Sequence, residues 1–77
     1  MNRNTIIKVQ DNFINLSQIV SISRFGKTPV ENFDFFIMLN GHHSIKITSI
    51  FEDEIKKLRE DIVEKWRIYH TSNIIEL

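Results

Sequence analysis

The chain has no cysteine, one proline and two glycines among its 77 residues. Without cysteine there can be no disulfide staple, no thiolate ligand for zinc and no thiol nucleophile, a composition that suits a reducing compartment. With proline and glycine so scarce, no linker or low-complexity tract marks a domain boundary. Long apolar runs are also missing. The longest, FFIML from Phe35 to Leu39, falls far short of the roughly 20 residues that cross a bilayer. The start of the chain, MNRNTIIKVQ, lacks the apolar centre of a signal peptide. The expectation is a cytoplasmic protein with no membrane segment. Nor does either sign of charge prevail: ten Lys and Arg balance ten Asp and Glu, so no global field draws the chain to nucleic acid or anionic lipid.

What is present is a strong alternation of apolar and polar residues and fourteen isoleucines. A chain of this length forms one domain, residues 1–77, and buries only about 60 to 65% of the surface its unfolded form exposes, so its core is small. Residues 1–50 carry five basic and three acidic side chains, and residues 51–77 five and seven, a mild division that reads as a solvated helix face.

TIIKVQ places Ile7 and Val9 on one face and Lys8 and Gln10 on the other, the period of a half-buried strand. Asp11 and Asn12 supply turn chemistry, and a short return strand follows at Phe13 and Ile14. In NLSQ the side chains of Asn15 and Ser17 can accept bonds from nearby backbone N–H groups in competition with a sheet ladder. This stretch is therefore expected to be a turn, with Leu16 plugged into the core and Ile19 opening the next strand. That strand, IVSISRF, is expected to be interrupted at Gly26, and GKTPVEN to form a loop. FDFFIML, Phe33 to Leu39, is the clearest strand, and Asn40–Gly41 after it predicts a two-residue type I′ hairpin turn into HHSIKIT. Ser49 and Glu52 have the spacing of a capping box. The helix expected over residues 50–69 lays Phe51, Ile55, Leu58, Ile62, Trp66 and Tyr69 along one stripe. Glu52/Lys56, Asp53/Lys57 and Asp61/Lys65 are candidate i,i+4 pairs. Residues 70–77 form a tail whose Ile74, Ile75 and Leu77 could fold back on the sheet. The predicted fold class is α+β: an antiparallel sheet of four or five strands, about residues 5–48, with one C-terminal amphipathic helix packed on one face.

Chemistry is harder to find. His42 and His43 are successive residues after a hairpin turn and point to opposite faces, which makes a poor metal site. Ser21 and Ser23 have no His and acid at recognisable spacing. GKT at Gly26–Thr28 lacks the upstream glycine and the following helix of a phosphate loop. No enzyme activity, cofactor or metal is expected. Arg3, Lys8, Arg24, Lys27 and Lys46, with Phe25 as a stacking residue, keep nucleic acid open as a second kind of partner.

The more informative feature is Phe36 and Met38. If Phe33, Phe35, Ile37 and Leu39 meet the helix, then Asp34, Phe36 and Met38 lie on the opposite face, which one helix cannot also cover. The apolar pattern adds Ile6, Lys8, Ser44 and Lys46 there. An apolar centre with a basic rim is the composition of a partner-binding surface, with Phe36, Met38, Ile6, Lys8 and Lys46 as its residues and a protein partner or a homodimer as its occupant.

FINLSQIVSI, followed by the hairpin FFIMLNGHHSIKI and a helix, resembles small bacterial proteins of the FlbD type, which implies a small nucleic-acid-binding transcriptional regulator. The polar turn by itself resembles the opening of the LytTR DNA-binding domain, although the length and the long final helix depart from it. A small Ile-, Asn- and Lys-rich chain without catalytic motifs also resembles, in style, phage or mobile-element inhibitors of host protein complexes such as anti-CRISPR proteins. The leading functional expectation is a non-enzymatic protein-binding module of that inhibitory kind, and the alternative is the FlbD-type regulator.

Overall fold

A computed structural model describes residues 5–72. The order of elements is β1 (Ile6–Val9), β2 (Asn12–Asn15), a 3-10 turn (Leu16–Gln18), β3 (Ile19–Ile22), β4 (Gly26–Lys27), β5 (Phe33–Leu39), β6 (His43–Ser49) and α1 (Glu52–Ser72). The fold is α+β, with α1 packed against β5 and β6. Its strands form two antiparallel sheets, the hairpin β1–β2 and a larger sheet built on β5. Arg3 and the tail residues Ile74, Ile75 and Leu77 lie outside the described residues.

The polar interruption at Asn15–Gln18 is what separates the two sheets. Asn15 Oδ1 accepts from the Ser17 N–H (3.0 Å) and from the Ser17 hydroxyl (2.8 Å), fixing the 3-10 turn. Leu16 is buried beneath it, and the Ile19 N–H closes onto the Leu16 carbonyl as β3 begins. The turn between β1 and β2 falls one residue earlier than expected. Val9 pairs with Asn12, and Gln10 and Asp11 take the left-handed φ values, 48° and 68°, of a primed hairpin turn.

In the larger sheet β5 is central. β6 runs along one edge of it, while β3 and β4 share the other. The interruption expected at Gly26 lies instead at Ser23–Phe25, for Gly26 itself pairs with Asp34. Ser23 completes the ladder with its side chain, its hydroxyl accepting the Phe36 N–H (2.8 Å), and its carbonyl accepts Arg59 Nε–H from α1 (2.7 Å). Ile19 and Ile22 are three apart, a spacing that a regular strand cannot turn to one face. A bulge absorbs the extra residue, so that Ile19 pairs with Leu39 and Ile22 with Ile37.

The Asn40–Gly41 turn is corrected by the same need. A two-residue loop would pair Leu39 with His42 and bring Ser44 and Lys46 to the covered face. The loop instead has three residues, 40–42, with Gly41 (φ 82°) and His42 (φ 64°) left-handed, and Leu39 pairs with His43. Ile45 and Ile47 then lie opposite Ile37 and Phe35. Register follows burial, since a slip of one residue exchanges every side chain between faces.

The capping box is not formed either. Ser49 remains in β6, paired with Phe33, so its hydroxyl accepts the Phe51 N–H (3.1 Å), and the first helical bond runs from the Ile55 N–H to the Phe51 carbonyl (3.1 Å). Phe51 therefore precedes the helix and is 60% exposed rather than part of the stripe. Ile55 and Ile62 are buried with Phe35, Ile37 and Ile47, and Leu58, Trp66 and Tyr69 pack at the margin. The expected i,i+4 pairs of α1 do not close: among the described residues the ion pair is Lys46–Asp34. Ile62→Ala should lower the unfolding free energy by about 2 to 5 kcal/mol, whereas Phe51→Ala should change it by no more than about 0.5 kcal/mol. Urea unfolding of the two variants checks this, and equal losses would contradict the helix placement.

Candidate functional site

Because β5 alternates, the register that buries Phe35 and Ile37 completely also turns Asp34, Phe36 and Met38 to the uncovered face. Phe36 and Met38 are 38% and 40% exposed there. Their neighbours across the strands are Lys46 and Ser44 on β6 and, through the bulge, Val20 and Ser21 on β3. Sequence alternation missed Val20, which is 56% exposed. No local signal marks a bulge in IVSI except the three-residue spacing of the two core isoleucines. Val20, Met38 and Phe36 thus make an apolar strip bordered by hydroxyl side chains.

Of the residues expected on this face, Phe36, Met38 and Lys46 are brought together, and Ser44 with them. Ile6 and Lys8 are not. They belong to the separate hairpin, on its exposed side with Phe13, where Lys8 Nζ lies 5.8 Å from the Phe13 ring centre. The reason is the 3-10 turn, which takes β1 and β2 out of the larger sheet. The basic rim is correspondingly reduced: Lys46 Nζ lies 3.8 Å from Asp34 Oδ2 on the same face. Phe25 is not free for stacking, since it packs at the core margin edge-on to Phe33, with ring centres 6.4 Å apart.

A groove between β1 and α1 has a floor of Ile7, Val9, Leu58 and Ile62 with Lys8 and Lys65 at its rim. Its volume of about 180 Å³ lies below the roughly 300–1,000 Å³ of pockets that enclose a small molecule. Among the described residues no three His, Cys, Asp or Glu side chains gather as a metal site, and no helix is long and apolar enough to cross a membrane. No family model, curated protein or solved structure matches the chain.

Met38 is the one methionine among the described residues, and its exposure gives a direct probe of this face. Dilute peroxide should convert Met38 to the sulfoxide in the folded protein at a rate close to that in the unfolded chain, without loss of the thermal transition. Peptide mapping by mass spectrometry reads this out, and oxidation of Met38 only after denaturation would show the face to be covered.

Proposed function

We propose that the chain is a non-enzymatic protein-binding module that docks a partner protein on the outer face of the larger sheet, with Phe36 and Met38 as its anchors. What supports this reading is the position of these two large apolar side chains on the face away from α1, where they contribute nothing to the shared core. Met and Phe are favoured at the centre of interfaces, and the surrounding Ser21, Ser44, Thr48 and paired Lys46–Asp34 make the kind of polar rim that accompanies them. A phage or mobile-element inhibitor of a host complex, such as an anti-CRISPR protein, would act through such a face. The FlbD-type, nucleic-acid-binding alternative has less behind it. Lys8 belongs to the other sheet, Lys46 is engaged by Asp34 and Phe25 is packed against Phe33.

The test is retention of proteins from extracts of the native host by the immobilised protein, with the captured protein then purified and titrated. Phe36→Ala should weaken the complex by about 2 kcal/mol or more, roughly 30-fold, with the fold intact. Lys46→Ala should cost less and should do so in a salt-sensitive way. Retention of DNA or RNA instead, with an affinity that falls steeply as salt rises, would contradict the proposal.

A further inference from the structure

The edge of β6 that faces away from β5 has hydrogen-bonding capacity left over, and its direction is fixed by the ladder. Phe36 donates its N–H to the Ser23 hydroxyl and its carbonyl accepts the Ser23 N–H (2.9 Å), on the β3 side. Opposed residues in an antiparallel pair exchange both bonds or neither. Lys46, opposite Phe36, therefore turns its N–H and C=O to the free edge, as do Ser44 and Thr48 two residues to either side. Thr48 confirms the direction, because both its groups are met by one side chain from the hairpin turn. Gln10 Nε2 donates to the Thr48 carbonyl (2.6 Å) and Gln10 Oε1 accepts its N–H (3.4 Å). The Gln10 amide imitates the backbone of an added strand and ends the free edge at that point. Among the described residues Ser44 and Lys46 have no such mate, and β6 pairs with β5 alone.

We infer that this edge pairs with the β6 edge of a second copy of the chain, antiparallel, about a two-fold axis beside Ile45. Residues that point to the edge can exchange bonds only with residues that do the same, which leaves three symmetric registers in which Ser44 and Lys46 both pair within residues 42–48. One centred on Lys46 sets Lys46 against its own copy and needs Thr48, which Gln10 already holds. One centred on Ser44 pairs Lys46 with His42, whose left-handed φ of 64° takes it out of the strand. The register about Ile45 pairs Ser44 with Lys46 of the second copy and Lys46 with its Ser44. All four free donors are satisfied and no like charges meet. A lysine on an edge strand usually discourages such pairing, but here Asp34 lies within 3.8 Å of Lys46 Nζ and the lysine's cross-edge neighbour is a neutral serine. Pairing uses main-chain groups, so it is independent of the partner-binding face, although it would align the Phe36–Met38 strips of both copies.

A ladder this short makes a weak, reversible dimer, to be followed by sedimentation equilibrium from about 10 µM to about 1 mM. Ser44→Glu sets a carboxylate opposite Lys46 twice and should tighten the dimer about 2- to 30-fold, whereas Ser44→Lys should loosen it by a similar factor. Salt at about 0.5 M should shrink both effects. Ser44→Pro removes an N–H that the monomer does not use, and should abolish the dimer while keeping the thermal transition. A wild-type protein that stays monomeric throughout overturns the inference, as do charge variants that shift association in the same direction.

Discussion

A single amphipathic helix can cover one side of a sheet, and in this protein that limit governs the rest. Ile55 and Ile62 join Phe35, Ile37 and Ile47 in the core, so the odd residues of β5 are committed to folding. The even residues must then look the other way. Apart from Val20 at the bulge, the chain otherwise places Ser21, Asp34, Ser44 and Lys46 on that side, the side chains expected of a solvated sheet face. Phe36 and Met38 depart from that pattern at its centre. The hairpin adds Val9 and Ile14 to the core and α1 is already engaged there, so neither is in position to cover the departure.

The same small core explains why side chains so often finish what the backbone leaves undone. Where a ladder or turn leaves a main-chain N–H or C=O without a backbone mate, a side chain can supply one, and each such bond contributes about 0.5 to 1.5 kcal/mol, a noticeable fraction of the stability of a domain of this size. Ser23 supplies its hydroxyl where β3 breaks from the ladder, Arg59 takes up the carbonyl at that break, and Gln10 serves both groups of Thr48 at the edge. Asn15 does the equivalent work inside the 3-10 turn, where the chain leaves one sheet for the other. Ser23, Gln10 and Asn15 stand where regular structure stops, while Arg59 reaches out from within α1; the Arg59 bond ties the helix to the larger sheet and the Gln10 bonds tie the hairpin to it.

Much of this was legible in the sequence because it depends on alternation and periodicity. TIIKVQ, FDFFIML and HHSIKIT read as strands, NLSQ as a polar turn over a buried Leu16, and Ile55, Leu58 and Ile62 as a helical stripe, and the structure has all of them. What failed was local chemistry that tertiary packing overrode. Asn40–Gly41 favours a two-residue turn, yet only a three-residue loop sends Ile45 and Ile47 inward. Ser49 and Glu52 have capping-box spacing, yet pairing of Ser49 with Phe33 delays the helix. The division into two sheets had no sequence signal beyond the turn at Asn15, and it is why Ile6 and Lys8 were placed on a face they do not share. That Phe36, Met38 and Lys46 share the outer face follows from strand period, whereas the place of Val20 depends on a bulge that period cannot foresee.

The division of β5 into core positions and outer-face positions is what the proposed function stands on. It is tested most directly by placing Asp, one position at a time, at Phe35, Phe36, Ile37 and Met38 and recording thermal unfolding of each purified variant. The account predicts loss of the cooperative transition at Phe35 and Ile37, where a carboxylate would be buried unpaired, and a transition within a few degrees of wild type at Phe36 and Met38. Equal loss at all four positions would contradict it, because Phe36 and Met38 would then belong to the core and the outer face would have no surplus to offer a partner.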